Sequence, residues 1–303
     1  MSSVFHSGER AIHSKLGVSS DADIVGRIIQ PYMNKSFQSF IELQSMIVVG
    51  SSDLQGGLWS SFIYGEQGFI QVLDEKTIQI NEVNDQQDVL LANLKSNPNV
   101  GILIIDFLKR IRIRINGTVR ILENNSMEVT TEQVYGNCPK YIQARKMKLN
   151  KSRKRLPLKK EYHLSLSESQ WNWIELADTF FIASANLEGK ADVSHRGGQP
   201  GFIHVLNDNT IQYPDYVGNM MFNTLGNIYD NPKTGLLFID FLNGHTLQLS
   251  GESKIIWDLT EEEKLKHPGA KRLIEFQIAK VLETQNSNNP SFKFIDYSPF
   301  NPK

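Results

Sequence analysis

The sequence lacks the features that mark several large classes of protein. It contains one cysteine, Cys138, which excludes an internal disulfide framework and any metal or iron–sulfur site with several cysteine ligands. The seven histidines show no spacing typical of metal ligands, so we expect no metal site. No Walker loop, no Gly-x-Ser-x-Gly elbow and no Gly-x-Gly-x-x-Gly after a predicted strand occurs. These absences argue against the commonest nucleotide-binding and hydrolase motifs.

Long apolar runs and an excess of one charge are also missing. The longest apolar stretches, 100–108 and 235–242, are too short to span a bilayer, and the N-terminus has no apolar signal region. Thirty-two Lys and Arg residues balance 33 Asp and Glu residues, which gives a net charge of −1. We therefore expect a cytoplasmic protein that binds neither nucleic acid nor a membrane.

What the sequence does contain is enough apolar material for a substantial core. Hydrophobic residues make up 40% and aromatic residues 10% of the 303 positions. This composition excludes a disordered chain, and the length predicts two domains.

An internal repeat specifies what those two domains are. Positions 41–43 and 174–176 both read Ile-Glu-Leu, and positions 77–79 and 210–212 both read Thr-Ile-Gln, at a shift of 133 residues. A shift of 134 residues then continues the match as far as position 253. Self-similarity of this kind indicates that one structural unit has been duplicated.

Each unit has the hydrophobic pattern of a small β-rich domain. The pattern predicts a strand, a hairpin, a short helix that ends before Asn-Pro, and two more strands. In the first unit these are 46–51, 69–80, 88–96, 101–108 and 110–118, and in the second unit they are 180–185, a hairpin turning at 207–209, 219–229, 235–242 and 245–252. Five or six short strands with one helix predict a closed barrel, because closure removes exposed strand edges.

The remaining segments complete the expected domain organisation. We expect an N-terminal helical arm, the first barrel, a basic linker, the second barrel and a C-terminal tail. Their expected bounds are 1–39, 40–139, 140–165, 166–290 and 291–303. Within them we expect further helices at 5–18 and 130–142. The stretch 140–160 holds ten Lys or Arg residues and no acid, and we favour a solvated linker over a nucleic-acid or membrane site there.

Two polar constellations are candidates for a binding site. The alternation from Arg110 to Ile115 places three arginines on one face of a strand, which indicates either a phosphate or carboxylate site or an exposed barrel face. In the second unit the equivalent positions are Gly244, Thr246 and Gln248, so the halves have diverged. There the polarity lies in 192–201, whose glycine-rich turn and arginine suit an anion or form only a turn.

Three further features have open alternatives. Gly218 and Asn219 are expected at the start of the short helix, as anion-facing N–H donors or as a simple cap. His195 is the one candidate for proton transfer near neutral pH, and its alternative is a structural or phosphate hydrogen bond. Cys138, near Lys140, is either a reactive thiol or, as we favour, a buried structural residue.

Four segments resemble a known family. They are Phe-His-Ser-Gly-Glu-Arg-Ala at 5–11, 134–143 around Asn-Cys-Pro-Lys-Tyr, 192–198, and 214–227. They are similar to the pyridoxamine 5'-phosphate oxidase-like flavin-nucleotide-binding family, and most closely to its tandem members. The resemblance implies a mainly β fold with short helices, built as two tandem FMN-binding split β-barrels packed as a pseudo-dimer, with FMN between them.

The resemblance also implies cofactor-binding positions. Carried over to this sequence, they are Ser194, His195, Arg196, Gly197, Pro214, Asp215, Gly218, Asn219, Met220, Met221, Thr246, Gln248, Arg112, Arg114 and Lys140. The sequence departs from the true oxidases at Met220-Met221, where they carry an Arg/Lys pair, and at 85–89, where the first unit lacks the Gly-Asn turn. These departures argue against pyridoxal phosphate synthesis and favour one flavin per chain over two.

The functional expectation follows from the resemblance. We expect an FMN-dependent oxidoreductase that acts on an unidentified small molecule, with electrons from NAD(P)H or a separate reductase. The alternative is a non-catalytic protein that binds, stores or senses flavin or haem. The internal pseudo-dimer leaves a homodimer of whole chains open.

Overall fold

The computed structural model describes residues 3–81, 89–149, 158–285 and 290–302. Within these ranges the chain forms seven helices and seventeen strands. The helices are α1 Ser7–Leu16, α2 Ser19–Gly26, α3 Lys35–Glu42, α4 Leu90–Ser96, α5 Glu168–Leu176, α6 Asn223–Asp230 and α7 Glu261–Lys266. The strands are β1 Met46–Ser52, β2 Leu58–Tyr64, β3 Ile70–Val72, β4 Thr77–Ile80, β5 Asn99–Asp106, β6 Ile111–Ile121, β7 Met127–Asn137, β8 Ala144–Lys148, β9 Lys159–His163, β10 Thr179–Ala185, β11 Ala191–Gly197, β12 His204–Asn207, β13 Thr210–Asp215, β14 Lys233–Ile239, β15 Thr246–Ile256, β16 Arg272–Gln285 and β17 Ser291–Asp296.

The strands form two large antiparallel sheets with the same order. In the first unit the order is β2-β1-β5-β6-β7-β4-β3, and in the second it is β11-β10-β14-β15-β16-β13-β12, with β9 added beside β16. The sequence repeat is therefore a structural repeat, and the two units are split β-barrels packed as a pseudo-dimer, as predicted. None of the helices in the described ranges is long and apolar enough to cross a membrane.

The continuous apolar strand of each unit is buried on both faces, as its pattern predicts. In β5, Val100, Ile102 and Ile104 face the core of the first barrel. Leu103 and Ile105 face the other way and pack with Phe181, Leu237 and other residues of the second unit. A strand that serves a barrel core and an interface has no solvent face, which explains the absence of alternating polarity.

An aromatic cluster lies at the interface between the two units, where residues at equivalent positions of the repeat meet. Phe107 and its repeat equivalent Phe241 have ring centroids 5.5 Å apart, edge to face. Phe292 from β17 packs against both, at 6.0 Å and 5.1 Å. The predicted tail therefore contributes to the contact between the barrels.

The predicted helix at 130–142 is wrong. Residues Met127–Asn137 form β7, which pairs along β6 and carries β-branched residues such as Val129 and Thr131. Such residues pack well on a pleated surface, and the partner strand supplies the hydrogen bonds. The sequence interpretation ended each unit at β6 or β15 and therefore missed β7 and β16.

Other boundaries also differ from expectation. The second short helix begins at Asn223 rather than 219. The stretches expected to be a linker and a tail contain strands, because β8 pairs with β17 and β9 pairs with β16. Partners this distant along the chain leave no local sequence pattern. Residues 150–157 of the basic stretch, and most of 85–89, lie outside the described residues.

Candidate functional site

A cleft opens between the two barrels and contains most of the predicted site residues. It encloses about 770 Å³ of space between atoms, its solvent-open mouth included. The first unit contributes β6 and the turn after β7, and the second contributes β11, the end of β13, the following loop and the start of α6. The predicted residues that line it are Arg112, Arg114, Ser194, His195, Arg196, Gly197, Pro214, Asp215, Gly218, Asn219 and Met220.

The alternation in β6 explains why two arginines reach this cleft. Ile113 and Ile115 point into the core of the first barrel. Arg112 and Arg114 therefore point the opposite way, toward the second unit, and are only 8% and 7% exposed. The alternative of an exposed barrel face is wrong for these two side chains. Arg110 is separate, because it lies in the turn before β6 and pairs with Asp296 at the surface.

Arg114 has its charge balanced within the protein. Its Nη1 lies 3.0 Å from Oδ2 of Asp192, its Nη2 donates to Oγ of Ser194, and Nη1 also donates to Oδ1 of Asn223 at 3.3 Å. Burial disfavours the charged guanidinium, but the Asp192 carboxylate raises the pKa of Arg114 above its usual value. Arg114 is thus a fixed part of the cleft wall.

Arg112 has no such partner. Its Nη1 donates to Nδ1 of His195 at 3.0 Å, and its Nη2 lies 3.9 Å from the sulfur of Cys138. No ion pair joins it to a carboxylate in the described ranges, and its buried Nε has no hydrogen-bond partner there. Burial, and then the positive charge of Arg114, lowers the pKa of Arg112 to about 10, so it stays charged at neutral pH. A buried cation without a counter-charge favours an anionic ligand.

Arg196 is the second cation that faces the cleft without an ion pair among the described residues. Its guanidinium Nη1 donates to the backbone oxygen of His195 at 3.3 Å. Asp215 lines the same cleft, and its Oδ2 lies 3.5 Å from Nε of Arg272. Burial raises the pKa of the Asp215 carboxyl, and the positive charges of Arg196 and then Arg272 oppose that rise. The cleft therefore presents more positive than negative charge.

His195 accepts rather than donates at Nδ1, because the guanidinium of Arg112 has only donors. The ring proton therefore lies on Nε2, which is buried and has no hydrogen-bond partner in the described part of the chain. Burial, and then the charge of Arg112, lowers the pKa of His195 well below its usual value. The structure shows a hydrogen bond between Arg112 and His195, and the lowered pKa favours a neutral imidazole there.

The loop after β13 has an unusual backbone. Met220 and Phe222 adopt left-handed conformations, with φ of 64° and 57°, which cost energy for residues other than glycine. Asn219 accepts a hydrogen bond from the N–H of Met221 at 3.2 Å. Helix α6 then starts without a side-chain cap, and Asn223, Thr224 and Leu225 of its first turn line the cleft. Free N–H groups at a helix start favour negative charge.

A known family model matches both units of the chain. The model of the pyridoxamine 5'-phosphate oxidase family matches residues 33–162 and again residues 166–298. The chain belongs to the pyridoxamine 5'-phosphate oxidase family. The two matches coincide with the two barrels, so the family domain is present twice. No curated protein matches the sequence at a significant level.

Several solved structures each match about two fifths of this chain. HupZ from Group A Streptococcus is 15% identical with a TM-score of 0.34, over 41% of this chain and 98% of its own. A putative pyridoxamine 5'-phosphate oxidase from Lactobacillus delbrueckii is 19% identical with a TM-score of 0.32, over 39% and 93%. An FMN-binding protein from Syntrophomonas wolfei is 13% identical with a TM-score of 0.29, over 38% and 84%.

Four predicted residues do not reach the cleft. Met221 is fully buried against Phe5 and other apolar residues, and Lys140 is half-buried in a turn outside the lining. Thr246 and Gln248 lie on β15, at the positions that correspond to Arg112 and Arg114 of the first unit. They therefore lie at the second, pseudo-equivalent place, which the internal repeat relates to the cleft. There Nε2 of Gln248 on β15 donates to the backbone oxygen of Ser60 on β2 at 2.8 Å, so these two strands are in direct contact.

Several cleft residues were missed as site residues by the sequence interpretation. They are Asn137, Cys138, Tyr141, Phe202, Tyr216, Phe222, Asn223, Thr224 and Leu225. Asn137 pairs with Arg112 across β6 and β7, so predicting β7 as a strand would have placed it and Cys138 beside the arginine. Tyr141 and Tyr216 come from different units, and their rings meet 5.2 Å apart. No sequence signal predicts that contact.

Proposed function

We propose that this protein is an FMN-binding flavoprotein and an oxidoreductase of the pyridoxamine 5'-phosphate oxidase type that acts on a small molecule. One observation carries the proposal: Arg112 and Arg196 line one cleft, and neither forms an ion pair with a carboxylate among the described residues. FMN ends in a phosphate monoester, which is the kind of dianion that guanidinium groups bind well. Family membership supports a flavin as the ligand.

The residues present fit this group. Buried Nε of Arg112 and Nε2–H of His195 are donors without partners in the described ranges, and the uncapped start of α6 adds backbone N–H groups. The cleft lining also includes the aromatic and apolar residues Phe202, Tyr216 and Leu225, which suit a flat ring system. When bound, the flavin supplies hydride or electron transfer.

The residues of this chain then have defined tasks. Arg112 and Arg196 bind the anionic end of the ligand, and neutral His195 orients Arg112 through the 3.0 Å hydrogen bond. The ion pair between Arg114 and Asp192 fixes the cleft wall at the contact between the two units. NAD(P)H or a separate reductase supplies the electrons.

The proposal is for one FMN per chain. At the pseudo-equivalent place the repeat substitutes Thr246 for Arg112 and Gln248 for Arg114. It also substitutes Phe62 for His195 and Ile63 for Arg196, and both of these are buried apolar residues. A phosphate there would meet no cationic group from these positions, so its desolvation would not be offset.

The test is the visible absorption spectrum of the purified protein, followed by parallel titrations with FMN and riboflavin. We expect a bound flavin spectrum and much tighter binding of FMN than of riboflavin, because only FMN carries the phosphate. Colourless protein that takes up no FMN would refute the proposal. Anaerobic addition of NADPH or NADH then tests the redox activity. Bound flavin that neither nucleotide reduces and that does not turn over with oxygen would favour the non-catalytic alternative.

A further inference from the structure

The N-terminal helix α1 lies directly on α6, the helix whose first turn lines the cleft. A Cβ placed on Gly8 would lie 2.2 Å from the backbone oxygen of Gly226, so only glycine permits this approach. Oγ of Ser7 donates to Oδ2 of Asp230 at 2.9 Å near the other end of α6. The close contact fixes how α1 sits on α6.

Glu9 is the buried polar residue at this contact. It is 4% exposed, and its Oε1 accepts a hydrogen bond from Nδ2 of Asn223 at 2.5 Å. Its Oε2 accepts from the backbone N–H of His6 at 2.9 Å. Both carboxylate oxygens are therefore engaged as acceptors.

Arg114 and Glu9 together fix which way the Asn223 amide points. The guanidinium of Arg114 has only donors, so the oxygen end of Asn223 must face it, and the NH₂ end donates to Oε1 of Glu9. The oxygen end then faces the cleft wall, where Oδ1 accepts from Nη1 of Arg114 at 3.3 Å. Glu9 thus acts on Arg114 through one intervening side chain, although it does not line the cleft itself.

A second contact from the same helix reaches the strained loop. Nε2 of His13 lies 3.0 Å from the backbone oxygen of Met221, between the two left-handed residues Met220 and Phe222. The Met221 side chain is buried with Phe5 of the arm. A backbone that costs energy persists only where its surroundings hold it, and here the arm supplies those surroundings.

We propose that Glu9 is a positioning residue for the cleft: docking of the N-terminal arm orients Asn223, and through it Arg114 and the first turn of α6, for binding the phosphate end of the ligand. This inference rests on the proposed function. Its consequence is that a residue at the start of the chain, in a segment outside both barrels, controls ligand affinity at their interface.

The test compares three variants of the full chain by FMN titration. Glu9→Ala removes both acceptors and is expected to weaken FMN binding roughly tenfold, the scale of one charged hydrogen bond. Glu9→Gln retains an acceptor oxygen for Asn223 but loses the acceptor for the His6 N–H, and is expected to restore part of the affinity. Ser7→Ala removes a hydrogen bond from the same helix to α6 outside the cleft, and is expected to bind FMN like the wild type.

The reaction rate of the Cys138 thiol provides a second measurement, which needs no flavin. It is the only cysteine, it lines the cleft, and the nearby Tyr141 donates its OH to the backbone oxygen of Val217 in the cleft loop. We expect loosening of that loop to increase the exposure of the thiol. We therefore expect a chromogenic aromatic disulfide to react several-fold faster with Cys138 in Glu9→Ala than in Ser7→Ala or the wild type.

The FMN titrations and the thiol reaction rates distinguish a failure of the proposed function from a failure of the positioning role of Glu9. Wild-type protein that binds no FMN refutes the proposed function, while the thiol rates still test the role of Glu9. Equal thiol rates in Glu9→Ala and the wild type overturn the positioning role. So does an equal loss of affinity in Ser7→Ala and Glu9→Ala, because that result would mean that α1 contributes only general stability.

Discussion

Arg112 of the first barrel donates a hydrogen bond to Nδ1 of His195 in the second barrel, over 3.0 Å. The two residues are 83 positions apart in the chain and lie on strands of different sheets. Each barrel therefore supplies half of one cleft, and neither forms it alone. The duplication therefore places both halves of the cleft in one polypeptide chain.

Replacing either unpaired arginine is expected to weaken FMN binding. Arg112→Gln and Arg196→Gln each remove a cation from the cleft, and the loss of a charge-assisted hydrogen bond, about 1.5–3 kcal/mol, corresponds to roughly 10- to 150-fold in affinity. Riboflavin binding should change little. The matched control is Arg120→Gln, because Arg120 lies on the same strand with a 70% exposed side chain. Equal FMN affinity in all three variants would contradict the assignment.

Titration with FMN is expected to saturate at one equivalent per chain. At the place that the internal repeat relates to the cleft, neutral residues stand at the positions that correspond to Arg112, Arg114 and Arg196. Gln248 also donates a hydrogen bond directly to Ser60 there. Gln248→Ala should therefore leave the stoichiometry unchanged, whereas Arg112→Gln lowers the affinity. A calorimetric titration with two equivalents bound would show that the second place also binds flavin.

His195 is expected to make the fold less stable in mild acid. Its pKa is lowered in the folded state, so the unfolded chain takes up a proton below about pH 6.5 that the native state refuses. The stabilising contribution is present above that pH and is lost as the pH falls toward the folded pKa. The unfolded pKa of about 6.5 limits this loss to at most about 2 kcal/mol at pH 5.

Urea unfolding at pH 7 and pH 5 measures this effect. His195→Asn retains an acceptor for Arg112 and should lose less stability between the two pH values than the wild type. His163→Asn, at an exposed position, should behave like the wild type. Raised pKa values at Glu9 and Asp215 act in the opposite direction, but they are common to all three proteins and cancel in the comparison. Identical pH dependence in His195→Asn and the wild type would contradict the prediction.

Phe292→Ala is expected to destabilise the contact between the barrels by about 3–5 kcal/mol, because it empties space in a packed aromatic cluster. Phe292 is 6% exposed and contacts Phe107, Phe241 and Phe62. The control is Phe294→Ala on the same strand, where the side chain is 42% exposed, and it should cost about 1 kcal/mol or less. Thermal unfolding of both variants gives the comparison, and equal losses would argue against a role of β17 at the interface.

Local pattern was sufficient for the elements that carry their own signal. The hairpin formed by Ile70–Val72 and Thr77–Ile80 and the helix Ser7–Leu16 follow from turn residues and from helical spacing. The strand Met127–Asn137 was predicted as a helix, because its pairing partner determines its structure and local spacing does not reveal that partner. The same reason explains β8 and β17, which pair across most of the second unit.

The sequence by itself determined the duplication, the β-rich barrels and the alternation that turns Arg112 and Arg114 away from the isoleucines, because repetition and side-chain periodicity are written locally. Only the tertiary structure decided which arginine forms an ion pair with a carboxylate and which does not. Asp192 reaches Arg114, while Arg112 meets the neutral ring of His195. Charge pairing depends on distances of a few ångströms between strands that are far apart in the chain, and packing of the two barrels sets those distances.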